Sequence, residues 1–396
     1  MAQPTTNHAT LDDPVAIAHQ LQELVRSCAD QNESQRHLST AVAQAFAESG
    51  LYRIAAPPPI GSAATPLQQV ETIEAIAKAD GSAAWNLMIG IESFGLIAPG
   101  FDACAELIAD PTTVLCSSTA AVGRADKVDG GYQVSGRWQF VSGCHNAQLF
   151  GATVQVWQDG EVQKELGNRY AVVTQPDWQI IDTWHTSGLC GSGSHDVVVD
   201  DVFVPESRLI VPIGGLSPSD GPLHPLLSFP LGARLAYNKV GVAWGLAQAA
   251  IEAFIELAEG KTPRFSARGL KERPRAQRAI AEAQVRVLGG RTLVVDLLQQ
   301  MWGIVQQHGH VSSQQRAMFQ LACSDSVRGC IEAVVWLCEA AGTTSNQKGH
   351  PLERIARDVR VVGQHLTVAA HNIEDAGRIM LGLPAQEMML AGPGAR

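Results

Sequence analysis

The segments Gly136-Arg-Trp-Gln-Phe-Val-Ser-Gly143 and Trp184-His-Thr-Ser-Gly-Leu-Cys-Gly-Ser-Gly-Ser194 lie in the middle third of the chain, each at the end of a strand-like run. Glycine lets a backbone approach a ligand closely, and serine supplies short hydrogen-bond donors. Tryptophan adds a flat apolar wall with one polar edge. Together the two segments predict a binding site for a planar heterocycle with polar edges.

Around these segments the hydrophobic pattern has a period of two, which is typical of strands. The turn Asp129-Gly130 separates two alternating runs and indicates a hairpin. Further strands are predicted at 149–157, 170–174 and 196–204. We therefore expect a compact antiparallel β-domain, barrel or sandwich, over residues 114–230, of which 205–230 is a loop rich in proline and glycine.

On both sides of the β-domain the pattern changes to a helical period. Residues 1–113 are predicted to form a helical domain, in which the small, uncharged stretch 81–90 indicates a buried, closely packed helix. Residues 231–396 are rich in alanine and are predicted to form a four-helix bundle. Its helices are expected at 235–259, 275–308, 312–341 and 351–381. The fold class is therefore α+β and multidomain, in the order helical, β, helical.

Composition excludes several classes of protein. The 396 residues are 45% apolar and 17% charged, which is typical of globular domains. A net charge of −10 disfavours binding to nucleic acid or to an anionic membrane, and no long apolar run predicts a membrane span. The eight cysteines form no CxxC pair, so neither a zinc site nor a disulfide framework is expected. Free thiols and a polar N-terminus without a signal-peptide pattern favour the cytoplasm.

The familiar motifs of other enzyme classes are missing from the sequence. It contains no Walker loop, no strand-linked GxGxxG and no GxSxG elbow. His308 and His310 have no carboxylate nearby, so we interpret them as solvated and predict no metal site. His365 stands beside Gln364 among apolar residues on the last predicted helix. From the residues alone it is either a core histidine or a functional one.

The order of the domains, together with three motifs, resembles the acyl-CoA dehydrogenase fold. The motifs Trp138-Gln-Phe-Val-Ser-Gly143 and 184–194, the latter followed by Asp196-Val-Val-Val-Asp-Asp-Val-Phe-Val-Pro205, are similar to the flavin-binding β-domain of that fold. Leu352-Glu-Arg-Ile-Ala-Arg-Asp358 is similar to its C-terminal helix motif. The resemblance extends over nearly the whole chain and implies that the planar heterocycle is a flavin.

The base that an acyl-CoA dehydrogenase needs is not found where the resemblance places it. Members of that family abstract a proton from an acyl thioester with a glutamate, at positions that correspond here to Leu366 or Leu235. A hydrocarbon side chain cannot accept a proton, which disfavours dehydrogenation. His365, beside Leu366, makes the chain resemble instead the two-component flavin-dependent monooxygenases of the same fold.

This resemblance implies both a cofactor and partners. A separate flavin reductase supplies reduced FMN or FAD by diffusion, and the flavin reacts with O2 to form a C4a-hydroperoxide that hydroxylates an aromatic or similarly planar small molecule. His365 then acts on an ionisable group of the substrate or steadies the hydroperoxide. The large apolar helical faces of the bundle, and the family, imply a homotetramer.

The resemblance also implies roles for individual residues. His365 and Ser142 are expected to be catalytic, and Ser142 lies near flavin N5. The expected cofactor-binding residues are Trp138, Val141, Ser142, Gly143, Trp184, Ser192, Ser194 and Arg264. The expected substrate-binding residues are Trp85, Asn86, Glu92 and His365.

The chain departs from the family pattern at three places. Cys190 stands where relatives often carry arginine, and Glu92 stands where some carry histidine. Arg264-Phe265 matches only part of the Arg-x-x-Phe motif that contacts the cofactor phosphate across subunits, so FMN and FAD are both open. Three alternatives remain, namely an acyl-CoA dehydrogenase with a relocated base, an N-oxidising enzyme like the nitrososynthases, and a scaffold without catalytic activity.

Overall fold

The computed structural model describes residues 13–212 and 223–391. Its first part is helical, as the periodicity predicts. Helices α1 to α4 span Pro14–Gln35, Thr40–Glu48, Pro66–Ala77 and Gly81–Ile97. The side chains of Thr65 and Asp80 each accept a hydrogen bond from a backbone N–H in the first turn of α3 and α4. These caps determine where the two helices begin.

Helix α4 passes through the interior of the molecule. Almost all of its side chains are buried, including the polar Asn86 and Glu92. Glycine is needed where other groups touch its backbone, because a Cβ at Gly90 would overlap the ring of Tyr52. The prediction of a buried, closely packed helix is confirmed.

The central part of the chain forms one eight-stranded sheet. Strands β1 to β8 span Leu115–Val128, Gly131–Val141, Leu149–Gln158, Glu161–Val162, Asn168–Thr174, Gln179–Ile181, His195–Pro205 and Leu209–Ile210. The strand order is β6-β7-β2-β1-β3-β5-β8, and β4 pairs with β3. The predicted hairpin joins β1 to β2 at Gly130, whose φ of 75° favours glycine.

One strand pair differs from the antiparallel arrangement that the sequence predicts, because β1 and β3 are parallel. The chain reverses direction between β1 and β2 and again between β2 and β3, and β3 then pairs with the free edge of β1. Two reversals return the chain to its original direction. Alternation of side chains indicates strands but contains no information on this choice of neighbour.

The part after the sheet is helical. Helices α5 to α11 span Pro225–Ser228, Leu231–Gly260, Pro274–His308, Ser313–Ala341, Pro351–Gln364, His371–Met380 and Met388–Ala391. Helix α6 lies at the centre and contacts α3, α4, α7, α8 and α9. The predicted loop 205–230 contains β8 and α5, and its residues 213–222 lie outside the described part of the chain.

The predicted helix 351–381 is wrong, because the chain leaves the helix at His365 and starts a new one at His371. His365 has an extended backbone (φ −68°, ψ 135°). Side chains satisfy the backbone groups of the break, since Nδ2 of Asn372 donates to the carbonyl of Leu366 at 2.8 Å and Nε2 of Gln320 donates to the carbonyl of Thr367. The donors lie on α10, directly after the break, and on α8, so a helical period alone does not reveal the interruption.

Helix α6 is long and apolar enough to cross a bilayer by its length and composition, and it is the one such helix among residues 13–212 and 223–391. In the structure it is a central helix packed on several sides by others. It also buries the charged side chains of Arg234 and Lys239. We interpret its apolar surface as the core of the bundle.

Candidate functional site

Three serines from the two Ser/Gly-rich segments form a buried hydrogen-bonded chain. The hydroxyl of Ser142 lies 2.7 Å from that of Ser194, which lies 2.7 Å from that of Ser192. The indole N–H of Trp85, on α4, donates to Ser142 Oγ at 3.1 Å. The end of β2, the loop before β7 and the first turns of α4 therefore meet at one place.

Glycines allow this close approach of the two segments. Gly143 has a φ of 81°, and its N–H donates to the carbonyl of Ser192 at 3.1 Å. A Cβ at Gly143 would lie 3.3 Å from the side-chain amide of Asn86. The positive φ of Gly143 is also unfavourable for residues other than glycine. The serines are thus held by backbone geometry that only the glycines tolerate well.

Two side chains of helix α9 form hydrogen bonds with the backbone of the loop 184–194. The carboxyl Oδ1 of Asp358 accepts a hydrogen bond from the N–H of Leu189 at 2.7 Å, and the guanidinium of Arg357 donates to the carbonyl of Ser187. Burial raises the pKa of Asp358 to about 7 and that of the neighbouring Asp80 to about 6. Asp358 belongs to the C-terminal motif found in the sequence, and the structure explains the motif as an anchor for the loop.

His365 stands beside Trp85 because α9 ends there. The two rings meet edge to face, with centroids 5.3 Å apart. Nδ1 accepts a hydrogen bond from the N–H of Thr367 at 3.3 Å and lies 2.9 Å from its hydroxyl. A neutral ring with Nδ1 as acceptor carries its proton on Nε2, which then serves as a donor.

The charge state of His365 follows from its surroundings. Burial, and then the positive charge of Lys239, lower the pKa of His365 to about 3. The imidazole is therefore neutral at physiological pH. It can donate or accept a hydrogen bond, but it is not a cation.

The two positions at which a dehydrogenase would carry its base come together beside this histidine. The hydroxyl of Thr367 donates to the carbonyl of Leu235 at 3.2 Å, so the break after α9 touches the first turns of α6. Leu366 itself is 48% exposed, whereas Leu235 is buried. Neither position offers a proton acceptor.

The acid of this region, Glu92, is paired. Both of its carboxylate oxygens contact Nζ of Lys239, at 2.5 and 2.6 Å, and Oε1 accepts a hydrogen bond from Nδ2 of Asn238 at 3.2 Å. Burial raises the pKa of Glu92 and lowers that of Lys239, and the charge of each partner opposes the shift of the other. An ion pair held in this way is poorly suited to abstract a proton from carbon.

The remaining predicted site residues lie in different environments. Trp138 is fully buried inside the sheet, where its indole N–H donates to the carbonyl of Thr153 at 2.9 Å. Val141 is buried too. Trp184 donates to the carbonyl of Leu189 at 3.0 Å, and Arg264 lies on the surface after α6. Trp138, Val141 and Arg264 therefore do not join the serine chain within the described chain.

Sequence reasoning missed Lys239 and Thr367, and it quoted Asp358 only as part of a motif. A lysine in a long apolar helical stretch was the available signal for Lys239, because a buried charge needs a partner. Thr367 gave no signal, since its role depends on the interruption after α9.

The geometry fits a flavin. Phe140 is exposed with a φ of 59° and contacts Trp184 edge to face, with ring centroids 6.2 Å apart, which leaves aromatic surface beside the serines. Nδ2 of Asn86 is buried without a hydrogen-bond partner, while its Oδ1 accepts from the hydroxyl of Tyr52. Such an unpaired donor next to hydroxyls suits a planar ring system with polar edge atoms.

Comparison with known proteins agrees with this geometry. Residues 239–370 match the family model described as acyl-CoA dehydrogenase, C-terminal domain. The chain is 30% identical over 354 residues to the indole-3-acetate monooxygenase of Pseudomonas putida, covering 88% of this chain and 89% of that protein. It is 28% identical to the FADH(2)-dependent resorcinol hydroxylase, oxygenase component, of Rhizobium sp. (strain MTP-10005), covering 91% of this chain and 92% of that protein.

A solved structure shares the fold over nearly the whole length. XiaF from Streptomyces sp., determined in complex with FADH2 and glycerol, superposes with a TM-score of 0.86 at 23% sequence identity. The match covers 95% of this chain and 96% of that one. The helical, β, helical order is therefore the order of a known flavoprotein fold.

Proposed function

Because the chain belongs to the oxygenase components of flavin-dependent monooxygenases, we propose that it oxygenates a planar aromatic small molecule whose ring packs against the Trp85–His365 pair. The observation that carries the proposal is the neutral His365 beside the Trp85–Ser142–Ser194 chain, with no acid at Leu366 or Leu235. A site that offers hydrogen-bonding groups, but no base to abstract a proton from carbon, suits oxygenation better than dehydrogenation.

The enzyme uses reduced flavin from a flavin reductase. Bound reduced flavin supplies the two electrons with which one atom of O2 enters the substrate and the other leaves as water. The serine chain and Asn86 would hold the polar edge of the ring system, and Phe140 and Trp184 would flank it. Burial of Asn86 and the three serines excludes water there, which otherwise wastes the electrons as H2O2.

His365 would orient the reactants through Nε2. Because Nδ1 is engaged by Thr367, the neutral ring offers the Nε2 proton to an oxygen atom in the site. Its low pKa keeps this donor unchanged over the physiological pH range. The edge-to-face contact with Trp85 fixes the plane of the imidazole.

Product analysis with labelled oxygen tests the function. Purified protein, a generic flavin reductase, NADH, FMN or FAD, and ¹⁸O2 are incubated with indole-3-acetate and a panel of phenols. The expected result is a product that contains one ¹⁸O atom and forms only when protein, reductase and flavin are all present. Turnover without ¹⁸O in any product contradicts oxygenation, and bleaching of added oxidised flavin by an acyl-CoA under anaerobic conditions would support the dehydrogenase alternative.

The proposal also includes the assembly of the subunits and the transfer of flavin. Helix α7 exposes a stripe of apolar side chains at Val285, Leu288 and Leu293, which supports a homotetramer. The free cysteines support a cytoplasmic location. Arg264 lies on the surface beside the exposed Phe265, where it could reach the flavin of a neighbouring subunit. We propose that the reductase delivers reduced flavin by diffusion rather than through a stable complex.

A further inference from the structure

A cluster of charged and polar side chains is buried between α4 and α6, beyond His365. It consists of Glu92 from α4 and Arg234, Asn238 and Lys239 from α6, all of which are at least nine-tenths buried. Arg234 and Asn238 are four residues apart and so lie on one face of α6, toward α4. A Cβ at Gly95 of α4 would overlap the guanidinium of Arg234, so the helices are in close contact there.

The charges of this cluster do not balance. It contains two cations, Arg234 and Lys239, and one carboxylate, Glu92, which holds Lys239 at 2.5 Å. Tyr237 beside Arg234 stays neutral because burial raises its pKa, and His365 stays neutral because burial lowers its pKa. One positive charge is therefore buried without a counter-ion among these groups, which is costly in a dry interior.

Two atoms of the cluster also lack hydrogen bonds. Nη1 of Arg234 and Oδ1 of Asn238 are buried and have no partner. A buried guanidinium normally has its donors paired, preferably with a carboxylate. The unpaired donor of Arg234 and the excess positive charge of the cluster both indicate an anionic ligand.

The cluster lies at the right distance from the proposed reaction site. Trp85 and Glu92 are seven residues apart on α4, so they share one face at roughly 10 Å along the helix axis. The charge of Lys239 acts on His365, which ties the near end of the cluster to the site. An aromatic ring packed against the Trp85–His365 pair would therefore direct a short acidic side chain along α4 toward the cluster.

We propose that this cluster binds the carboxylate of an aromatic acid, with Arg234 as the residue that selects an acid over a neutral compound. The inference rests on the proposed function, because it places the ring of the same substrate beside His365. Arg234 Nη1 donates to the carboxylate, whose negative charge balances the cluster. Glu92 keeps Lys239 paired, so the unpaired Nη1 of Arg234 is the donor that remains for the ligand.

Matched acids and amides test the inference. Binding of indole-3-acetate, phenylacetate and benzoate is measured by isothermal titration calorimetry against the corresponding amides, which have nearly the same shape but no charge. The variants are Arg234→Met, which removes the charge, and Arg234→Lys, which keeps the charge but not the planar fork. Arg26→Met, an exposed arginine on α1 paired only with Glu23 in the described contacts, is the control.

At least one acid is expected to bind the wild-type protein more tightly than its amide. Arg234→Met should weaken binding of that acid by about 10- to 100-fold and leave the amide within about threefold. Arg234→Lys should give a smaller loss, and Arg26→Met none. Thermal melting without ligand is expected to show Arg234→Met no less stable than wild type, because an unpaired buried charge is removed.

The inference and the function can fail separately. If no acid binds more tightly than its amide, or if Arg234→Met binds the acid as tightly as the wild type, the carboxylate site is refuted, whatever the turnover. Incorporation of ¹⁸O reports on the function alone. Binding that depends on Arg234 in a protein that oxygenates nothing would support the site and contradict the oxygenase proposal.

Discussion

The environment of His365 determines its chemistry more than its residue type does. A free imidazole titrates near neutral pH, but here burial and Lys239 keep the ring uncharged. Thr367 occupies Nδ1, so one nitrogen is left for the site. The sequence could indicate a histidine beside the vacant base position, but only the packing shows that it acts as a neutral hydrogen-bond donor.

Replacement of His365 tests this role. In His365→Ala we expect coupled oxygenation to fall by about 100-fold, because a positioned proton donor or acceptor contributes on this order. His365→Gln keeps an N–H donor and should recover part of the loss. Product formation, H2O2 release and flavin affinity are measured together.

Flavin affinity should change little in both variants, since the serine chain is untouched. The wild type and His365→Gln should have the same pH profile of coupled turnover near pH 6.5. The reason is that the ring of His365 stays neutral down to about pH 3 and does not titrate there. Unchanged coupled turnover in His365→Ala would remove this residue from the mechanism.

At the scale of elements, the site depends on how α9 ends and what it holds. Asp358 and Arg357 fasten the loop 184–194 to α9, and the interruption after Gln364 turns His365 toward Trp85. A helix that continued to residue 381 would place the histidine differently. Backbone carbonyls in the interruption accept hydrogen bonds from Asn372 on α10 and Gln320 on α8.

Asp358→Asn should make the protein more stable at alkaline pH. The pKa of Asp358 is about 7 in the folded chain against an ordinary 3.8, so the folded chain keeps a proton that the unfolded chain loses in that window. Stability from this group is present at acidic pH and falls as the pH rises toward 7. Asparagine keeps an acceptor for the N–H of Leu189 and does not titrate.

Thermal melting from pH 5 to pH 8.5 checks this expectation. The difference between variant and wild type should grow with pH to a few kcal/mol at most, on the order of what a buried carboxylate costs. Asp201→Asn, which changes an exposed aspartate on β7, is the control and should show no such trend. A pH-independent difference for Asp358→Asn would mean that this carboxyl is already ionised at pH 5.

At the scale of the whole molecule, helices from both ends of the chain contact the two Ser/Gly-rich segments beside the sheet. Helix α6 contacts α3, α4 and α9, so the walls of the site come from all parts of the chain. Helix α7 covers the bundle and leaves an apolar stripe exposed. Exposed apolar stripes of this kind are typical of subunit interfaces.

Leu288→Glu should disrupt the proposed tetramer. Leu288 is 57% exposed at the centre of the stripe on α7, and a carboxylate there would be buried without a partner in an interface. Light scattering should show a lower mass than for the wild type, and flavin affinity should fall if Arg264 serves a neighbouring subunit. Gln306→Glu adds the same charge to an exposed position near the end of α7 and should leave the mass unchanged.

A wild-type mass equal to that of one chain would contradict the tetramer directly. A wild-type tetramer whose mass Leu288→Glu leaves unchanged would show that the stripe on α7 is not the interface. In the second case Arg264 could still contact a neighbour through another surface.

Local patterns in the sequence predict the order of helical, β and helical parts, the hairpin at Gly130 and the two segments that contain Ser142 and Ser194. Hydrophobic period, turn residues and short Gly/Ser motifs act over a few neighbouring residues, so they can be read locally. The position of His365, directly before Leu366 where the base is missing, can also be read from neighbouring residues.

Contacts between side chains from distant parts of the chain are visible only in the folded protein. Lys239 and Glu92 are 147 residues apart, and Asp358 and Leu189 are 169 apart. The parallel pairing of β1 with β3 and the break at His365 likewise depend on partners distant in sequence. Local patterns cannot specify such pairs, because burial, which shifts each pKa and leaves Arg234 unpaired, exists only once α4, α6 and α9 have packed.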